Sequence, residues 1–372
     1  MNPALTSDLS AVCAHFPFAG RFVAGLPHGS GHINDTFAVT CDDAGTRTRY
    51  LLQRINHRIF RNVPDLMNNI ARVSAHVAGK VRLEPPTAPA LQALTLIRTR
   101  AGEAFHHDAQ GNFWRAYVFI EQASTYDVVT SPQLAREAAF AFGTFQRQLA
   151  DLPGVRLHET IPNFHHTRQR FGTFEQAVTA DACDRAGAVA AEIDFVRRRE
   201  ALVDLLLDLQ AAGDAPERIT HNDTKANNVM LDDATGRGVC VIDLDTVMPG
   251  LSLYDFGDMV RSATNSAAED ETDLSRVEAR LPIFEGLVAG YLGATGSLLT
   301  AAEVAHLSRA AQLMTFEVGM RFLTDYLQGD VYFRTKRPGH NLDRARNQFA
   351  LVTSLEARRS QMDAIVRNHL ST

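Results

Sequence analysis

Cysteine is scarce: four residues in 372, Cys13, Cys41, Cys183 and Cys240, with no CxxC pair and no histidine at metal-ligand spacing beside them. That excludes a disulfide framework and a zinc site of the close-spaced kind. No run of about eighteen apolar residues occurs, so no membrane-spanning helix is expected. An excess of positive charge is missing too. Thirty-seven basic residues against 43 acidic ones give a formal charge of −6 and a pI near 6.2, which offers no field for nucleic acid or an anionic membrane. Residues 1–10 have neither the basic start nor the apolar stretch of a signal peptide, so a cytoplasmic location is the expectation. Low-complexity tracts and internal repeats are absent, and tryptophan occurs once, at Trp114.

What remains is a chain 45% hydrophobic and 22% charged, the composition of a globular enzyme, long enough for two lobes. Its densest chemistry is the block His221-Asn222-Asp223-Thr224-Lys225-Ala226-Asn227-Asn228, followed by Val241-Ile242-Asp243-Leu244-Asp245 and Tyr254-Asp255-Phe256-Gly257-Asp258. Phosphoryl transfer needs a carboxylate to orient and deprotonate the attacking hydroxyl. It also needs an amide oxygen and a second carboxylate to hold magnesium against the phosphates. The spacing HxDxxxxN and a hydrophobic strand ending in Asp supply all three: Asp223 as base, Asn228 and Asp243 as metal ligands. The apolar runs 228–231 and 239–242 read as paired strands around a turn at 232–238, which brings Asn228 and Asp243 together.

These blocks resemble the aminoglycoside phosphotransferase and choline kinase family, whose fold is similar to that of protein kinases. Within it, GSGHINDTF (29–37), YLLQRIN (50–56), HNDTKANN, VIDLDTVMPG (241–250), YDFGD and MRFLTDYLQGDVYF (320–333) are most similar to the N-acetylhexosamine 1-kinase group. The resemblance implies an α+β, protein-kinase-like two-lobe fold: a small five-stranded antiparallel N-lobe over residues 1–120 and a larger, mainly α-helical C-lobe over 121–372. It also implies ATP as phosphoryl donor with Mg2+. The periodicity agrees. Strand-like runs fill 21–26, 36–40, 49–55, 94–98 and 113–120, and helical spacing begins near Ser131 and includes 195–209, 301–327 and 342–368.

By the same resemblance, Gly29, Ser30 and Gly31 form the loop over the triphosphate, where glycines let backbone amides approach closely. Arg54, at the end of the third strand, takes the place of the cation that holds the α- and β-phosphates. The usual helix glutamate that steadies such a cation is absent from 63–83, which leaves Asn68 or Asn69 to orient Arg54. The hinge falls at Glu121–Ala123, where backbone groups bind adenine.

For the acceptor, the chain shows neither an aromatic cage for a quaternary ammonium nor a carboxylate lining for a polycation; residues 315–348 carry six basic residues against four acidic. A neutral, hydroxyl-rich sugar fits better. His32, Asn34, Asp245, Arg321, Asp325, Tyr326 and Tyr332 have side chains of the right chemistry. Arg321 and Asp325, four apart on a helix, read equally well as an intrahelical ion pair. The adjacent pairs His106-His107 and His165-His166 point to opposite faces of an extended chain and read as surface or loop residues, not metal ligands. The favoured reading is a kinase of an N-acetylhexosamine anomeric hydroxyl, monomeric or homodimeric. Alternatives are a kinase of an amino alcohol, a homoserine-like compound or an aminoglycoside, or a non-catalytic nucleotide-binding regulator.

Overall fold

The computed structural model describes residues 9–29, 33–83 and 91–370. Strands β1 (Arg21–Pro27), β2 (Asp35–Asp43) and β3 (Thr46–Ile55) form an antiparallel meander. Between Asp43 and its register partner Thr46 lie only Ala44 and Gly45, with φ of 51° and 93°. Two consecutive positive φ values are what a two-residue hairpin needs if its turn is to match the twist of the strands. Strands β4 (Leu96–Ile97), β5 (His106–His107) and β6 (Phe113–Val118) complete the sheet in the order β1-β2-β3-β6-β4, with β5 also paired to β6. His106 and His107 thus belong to a short strand rather than a loop.

Alternation along these strands assigns two faces. On one, Phe37, Val39, Leu52 and Trp114 pack with Leu9 and Phe16 into a small core. On the other, Thr36, Gln53 and Arg115 are register partners across β2, β3 and β6 and are joined side chain to side chain. Helix α1 (Val63–Leu83) buries Val63, Leu66, Met67, Ile70, Val73 and Val77, the three- and four-residue spacing of a helix with one apolar face.

The remainder is mostly helical: α2 (Pro132–Leu149), α3 (Thr167–Ala180), α4 (Ala190–Arg197), α5 (Leu205–Ala211), α6 (Ser252–Thr264), α7 (Leu281–Thr295), α8 (Ala301–Ala305), α9 (Leu307–Leu327) and α10 (His340–Leu370). Short strands interrupt it. β7 (Ala123–Ser124), β9 (Val229–Asp232) and β10 (Gly238–Val241) make one small sheet, and β8 (Arg218–Thr220) pairs with β11 (Met248–Gly250). The single helix expected over 301–327 breaks at His306, whose ring nitrogen takes the Ala302 carbonyl while its backbone leaves the helical region at φ −105°, ψ 6°. The helical stretch expected over 195–209 is likewise split into α4 and α5 around a 3-10 turn at Glu200–Leu202. No helix among the described residues is long and apolar enough to cross a membrane.

Helix α6 lies very close to α9. A Cβ added at Gly257 would sit 2.4 Å from Met314 Cγ and 2.6 Å from the Ala310 carbonyl oxygen. Backbone cannot yield as a side chain can, so Gly257→Ala is expected to cost about 1–3 kcal/mol or more by overpacking. A thermal midpoint unchanged by this substitution would show that α6 can move off α9.

Candidate active site

The β9–β10 register pairs Val229 with Val241, and the Ile242 N–H continues the ladder by donating to the Asn228 carbonyl at 2.9 Å. Asn228 and Asp243 are thereby placed at the same end of one hairpin. Asp243 follows with φ 58° and ψ 59°, a left-handed conformation that turns the chain out of the strand and into the 3-10 turn Leu244–Thr246.

The loop bearing Asp223 is held by its own backbone. His221 N and Asn222 N donate to the two oxygens of Asp255 at 2.9 and 2.7 Å, and Thr224 Oγ1 donates to the Asp255 carbonyl at 2.6 Å. His221 lies with Nδ1 3.3 Å from the Asp223 N and Nε2 2.9 Å from the Ile242 carbonyl oxygen. Thr246 Oγ1 donates to the His221 carbonyl at 2.7 Å, and Asn222 Nδ2 donates to the Thr246 carbonyl at 2.9 Å. The loop and the segment after Asp243 are therefore one hydrogen-bonded unit. Burial pushes the Asp255 carboxyl up to about 6, against the pull of His221 and the two amides.

Asp223 has a partner on each oxygen. Lys225 Nζ lies 3.0 Å from Oδ1, and Asn228 Nδ2 donates to Oδ2 at 3.2 Å and to the Asp223 carbonyl at 2.7 Å. Burial raises the Asp223 carboxyl, but Lys225, His221 and Arg261 outweigh it and hold the group below its ordinary value. Asp243 behaves oppositely. Its side chain reaches solvent, yet the protein packed around it, then Asp245 and Asp223, push its carboxyl up to about 7. Among the described residues no three His, Cys, Asp or Glu side chains form a metal cage. One carboxylate and one amide at a hairpin end are hard oxygen donors that leave coordination places for phosphate oxygens and water, which suits magnesium.

The other expected site residues fall in different places. Gly29 has φ 79° with open space about it; Ser30, Gly31 and His32 lie outside the described residues. Arg54 is on the opposite face of the sheet from Gln53 and Arg115: it pairs with Asp35 at 2.6 Å and lies over the Trp114 ring, 5.9 Å from its centroid. The period of two places Gln53, not Arg54, toward the helical part. Nor does Asn69 orient Arg54; it donates to the His158 and Val247 carbonyls at 2.8 and 3.2 Å. Asn34 and Asp245 are bound to each other at 2.6 Å, and Asp245, only 2% exposed, is held in a bidentate pair by Arg115. Asp245 thus serves within the protein.

Arg321 and Asp325 do not pair. Asp325 accepts the N–H groups of Val331, Tyr332 and Phe333 at 2.8–2.9 Å and so shapes the loop after α9. Arg321 instead lies among the rings of Phe164, Tyr332 and Phe333, 5.2–5.8 Å from their centroids. Tyr326 is covered by Arg185, 4.5 Å from its ring centroid.

Some site residues escaped the sequence reading. His165, read as surface, is 6% exposed: its Nδ1 faces Glu317 at 2.9 Å and its Nε2 faces the Asn222 carbonyl at 3.0 Å, beside Asp223. Lys225 was legible only as a residue two past the base. Arg115 carried a signal of its own, a charge set between aromatic residues in a strand that reads as buried.

A small sheet followed by a helical body, with a carboxylate, a lysine and an amide converging beside a second carboxylate, defines a kinase-like phosphotransferase. The chain matches the phosphotransferase enzyme family over residues 25–290 and belongs to it. It is a small-molecule phosphotransferase, transferring phosphate to a hydroxyl acceptor. Solved structures agree in fold. An aminoglycoside phosphotransferase from Alicyclobacillus acidocaldarius is 13% identical with a TM-score of 0.61, covering 97% of this chain and 96% of its own. A choline kinase from Cryptosporidium parvum is 13% identical, TM-score 0.58, covering 98% and 99%. A choline/ethanolamine kinase family protein from Mesorhizobium loti is 18% identical, TM-score 0.56, covering 97% and 98%.

Asp255→Ala strands two buried amides, at about 1–3 kcal/mol for each. Turnover should fall further than the loss of folded protein explains, because the loop carrying Asp223 loses its anchor. Full activity per folded molecule, judged by circular dichroism, would refute that.

Proposed function

We propose that this enzyme transfers the γ-phosphoryl group of ATP, with magnesium, to the anomeric O1 of an N-acetylhexosamine. The observation that carries the acceptor class is the pair Arg170 and Arg321. Both lie next to Phe164, Arg170 donating to its carbonyl and Arg321 facing its ring. Burial, then Arg321, pushes the Arg170 guanidinium below its ordinary value. Phe164 adjoins His165, which binds the carbonyl next to Asp223. Two arginines on a wall linked to the Asp223 loop through Phe164 and His165 disfavour an ammonium acceptor. A neutral sugar can lay an apolar face on the rings and offer its acetamido oxygen to a guanidinium. The resemblance of the sequence blocks to the N-acetylhexosamine 1-kinase group supports the same reading.

In this mechanism Asp223, ionised because Lys225 favours the charged form, orients the acceptor O–H and takes its proton as the O–Pγ bond forms and the bond to the β-phosphate oxygen breaks. Lys225, 45% exposed at its side chain, reaches the transferred phosphoryl, and ADP departs. Asn228 and Asp243 would hold the magnesium, which neutralises charge on the phosphates. Gly29, with open space about it, would bring its backbone to the phosphates. Arg321 and Tyr332 contact the sugar, whereas Tyr326, beneath Arg185, supports that wall.

ADP release should occur with N-acetylglucosamine or N-acetylgalactosamine and vanish with their methyl glycosides, in which only O1 is blocked. Asp223→Asn should lower turnover by about 10²–10⁴-fold with nucleotide binding retained. Turnover on an amino alcohol or aminoglycoside but not on free sugar would replace this acceptor with the second reading, which the structural relatives keep open.

Asp243 adds a pH dependence. With its carboxyl near 7, protons compete with the metal below that value. At limiting magnesium the rate should rise as pH passes about 7, and excess magnesium should move the rise to lower pH. A midpoint indifferent to magnesium would exclude Asp243 as the titrating ligand.

A further inference from the structure

We propose that Arg115 is a positioning residue for phosphoryl transfer, bolting the turn that follows Asp243 to the inner face of the sheet through Asp245 on one side and Gln53 on the other. The inference rests on the phosphotransferase reading and is independent of the acceptor.

Arg115 and Asp245 are 1% and 2% exposed. Nη1 and Nη2 of Arg115 take one Asp245 oxygen each, the latter at 3.0 Å, while Nε donates to Gln53 Oε1 at 2.9 Å. Gln53 Nε2 continues to Thr36 Oγ1 at 3.0 Å, so a polar row crosses three strands and ends on Asp245. That same carboxylate accepts from Asn34 at 2.6 Å, and Asn34 in turn takes the Asn56 N–H at 2.9 Å. Thr160 Oγ1 closes the far side by donating to the Asp245 carbonyl at 2.8 Å. One carboxylate therefore gathers the approach to β2, strand β6 and the turn after Asp243.

Stability alone does not account for this pair. A buried arginine and aspartate must both give up water, and an apolar pair of equal volume commonly serves folding as well or better. What the ions add is direction. A planar guanidinium meets a carboxylate edge to edge in one orientation, with three of its donors here committed to fixed partners. The turn Leu244–Thr246 is thereby fixed in rotation as well as position, and Asp243 is the residue immediately before it. Arg115 also sets its charge against both Asp243 and Asp245 from the sheet side.

Three variants test the assignment: Arg115→Met, Arg115→Lys and the volume-matched double Arg115→Met with Asp245→Leu. Thermal midpoint, ADP affinity by calorimetry without acceptor, turnover and acceptor KM are read for each. Binding of ADP without turnover separates failure of this inference from failure of the sugar reading. The double variant should recover most of the midpoint lost in Arg115→Met, yet bind ADP at least about tenfold more weakly and turn over at least about 100-fold more slowly, with acceptor KM within about threefold. Arg115→Lys, which keeps the charge and loses the fork, should fall between. A double variant with native-like midpoint, ADP affinity and turnover would reduce the pair to structural support. So would an Arg115→Lys enzyme unchanged in every readout, whether or not the other variants fold. A rise confined to acceptor KM would overturn the assignment by moving Asp245 to the acceptor side.

Discussion

The active site depends on a pair of backbone amides. His221 and Asn222 bring two consecutive N–H groups to a place that is 0% and 3% exposed, where water cannot satisfy them. Asp255 supplies both acceptors from another element, α6. The loop that aims Asp223 thus has its position set by a helix, and the helix has its own set by Gly257 lying against α9. On α9, Glu317 holds His165, which returns to the loop at the Asn222 carbonyl. A stranded buried amide costs about 1–3 kcal/mol, so each link resists being broken singly.

The parts legible in the sequence are those whose order along the chain is also their order in space. Asp223, Asn228 and Asp243 lie on one hairpin and the loop leading into it, where spacing translates directly into geometry. The alternating strands β2 and β3 were readable because one face of each is apolar. Arg54 shows where that reading fails. A strand reverses face at every residue, so an error of one position places a side chain on the wrong side of the sheet, and only the register of β3 with β6 shows that Gln53 faces Arg115.

Other parts were hidden because their partners are distant. His165 meets Glu317 from 152 residues away, and Arg115 meets Asp245 from 130. Asp325 was misread for a related reason. The spacing of four favours a pair with Arg321, worth about 0.2–0.5 kcal/mol on a helix surface. Three backbone amides after α9 compete for the same carboxylate, and three hydrogen bonds together outweigh one such ion pair. With Asp325 turned to its own loop, Arg321 remains among aromatic rings.

This division of labour separates chemistry from selectivity. On the proposed mechanism, transfer to any hydroxyl needs Asp223, Lys225, Asn228 and Asp243 in fixed relation, and Asp255, His221 and Thr246, which set that relation, need not meet the acceptor. On the proposed reading the acceptor meets residues borne by α3, α9 and the loop that Asp325 shapes, and His165 links that wall to the loop of Asp223. On that reading one framework can keep its phosphoryl chemistry while the wall holding Arg170, Arg321 and Tyr332 changes. The wall so proposed carries two guanidinium groups, which a cationic acceptor would have to displace or neutralise.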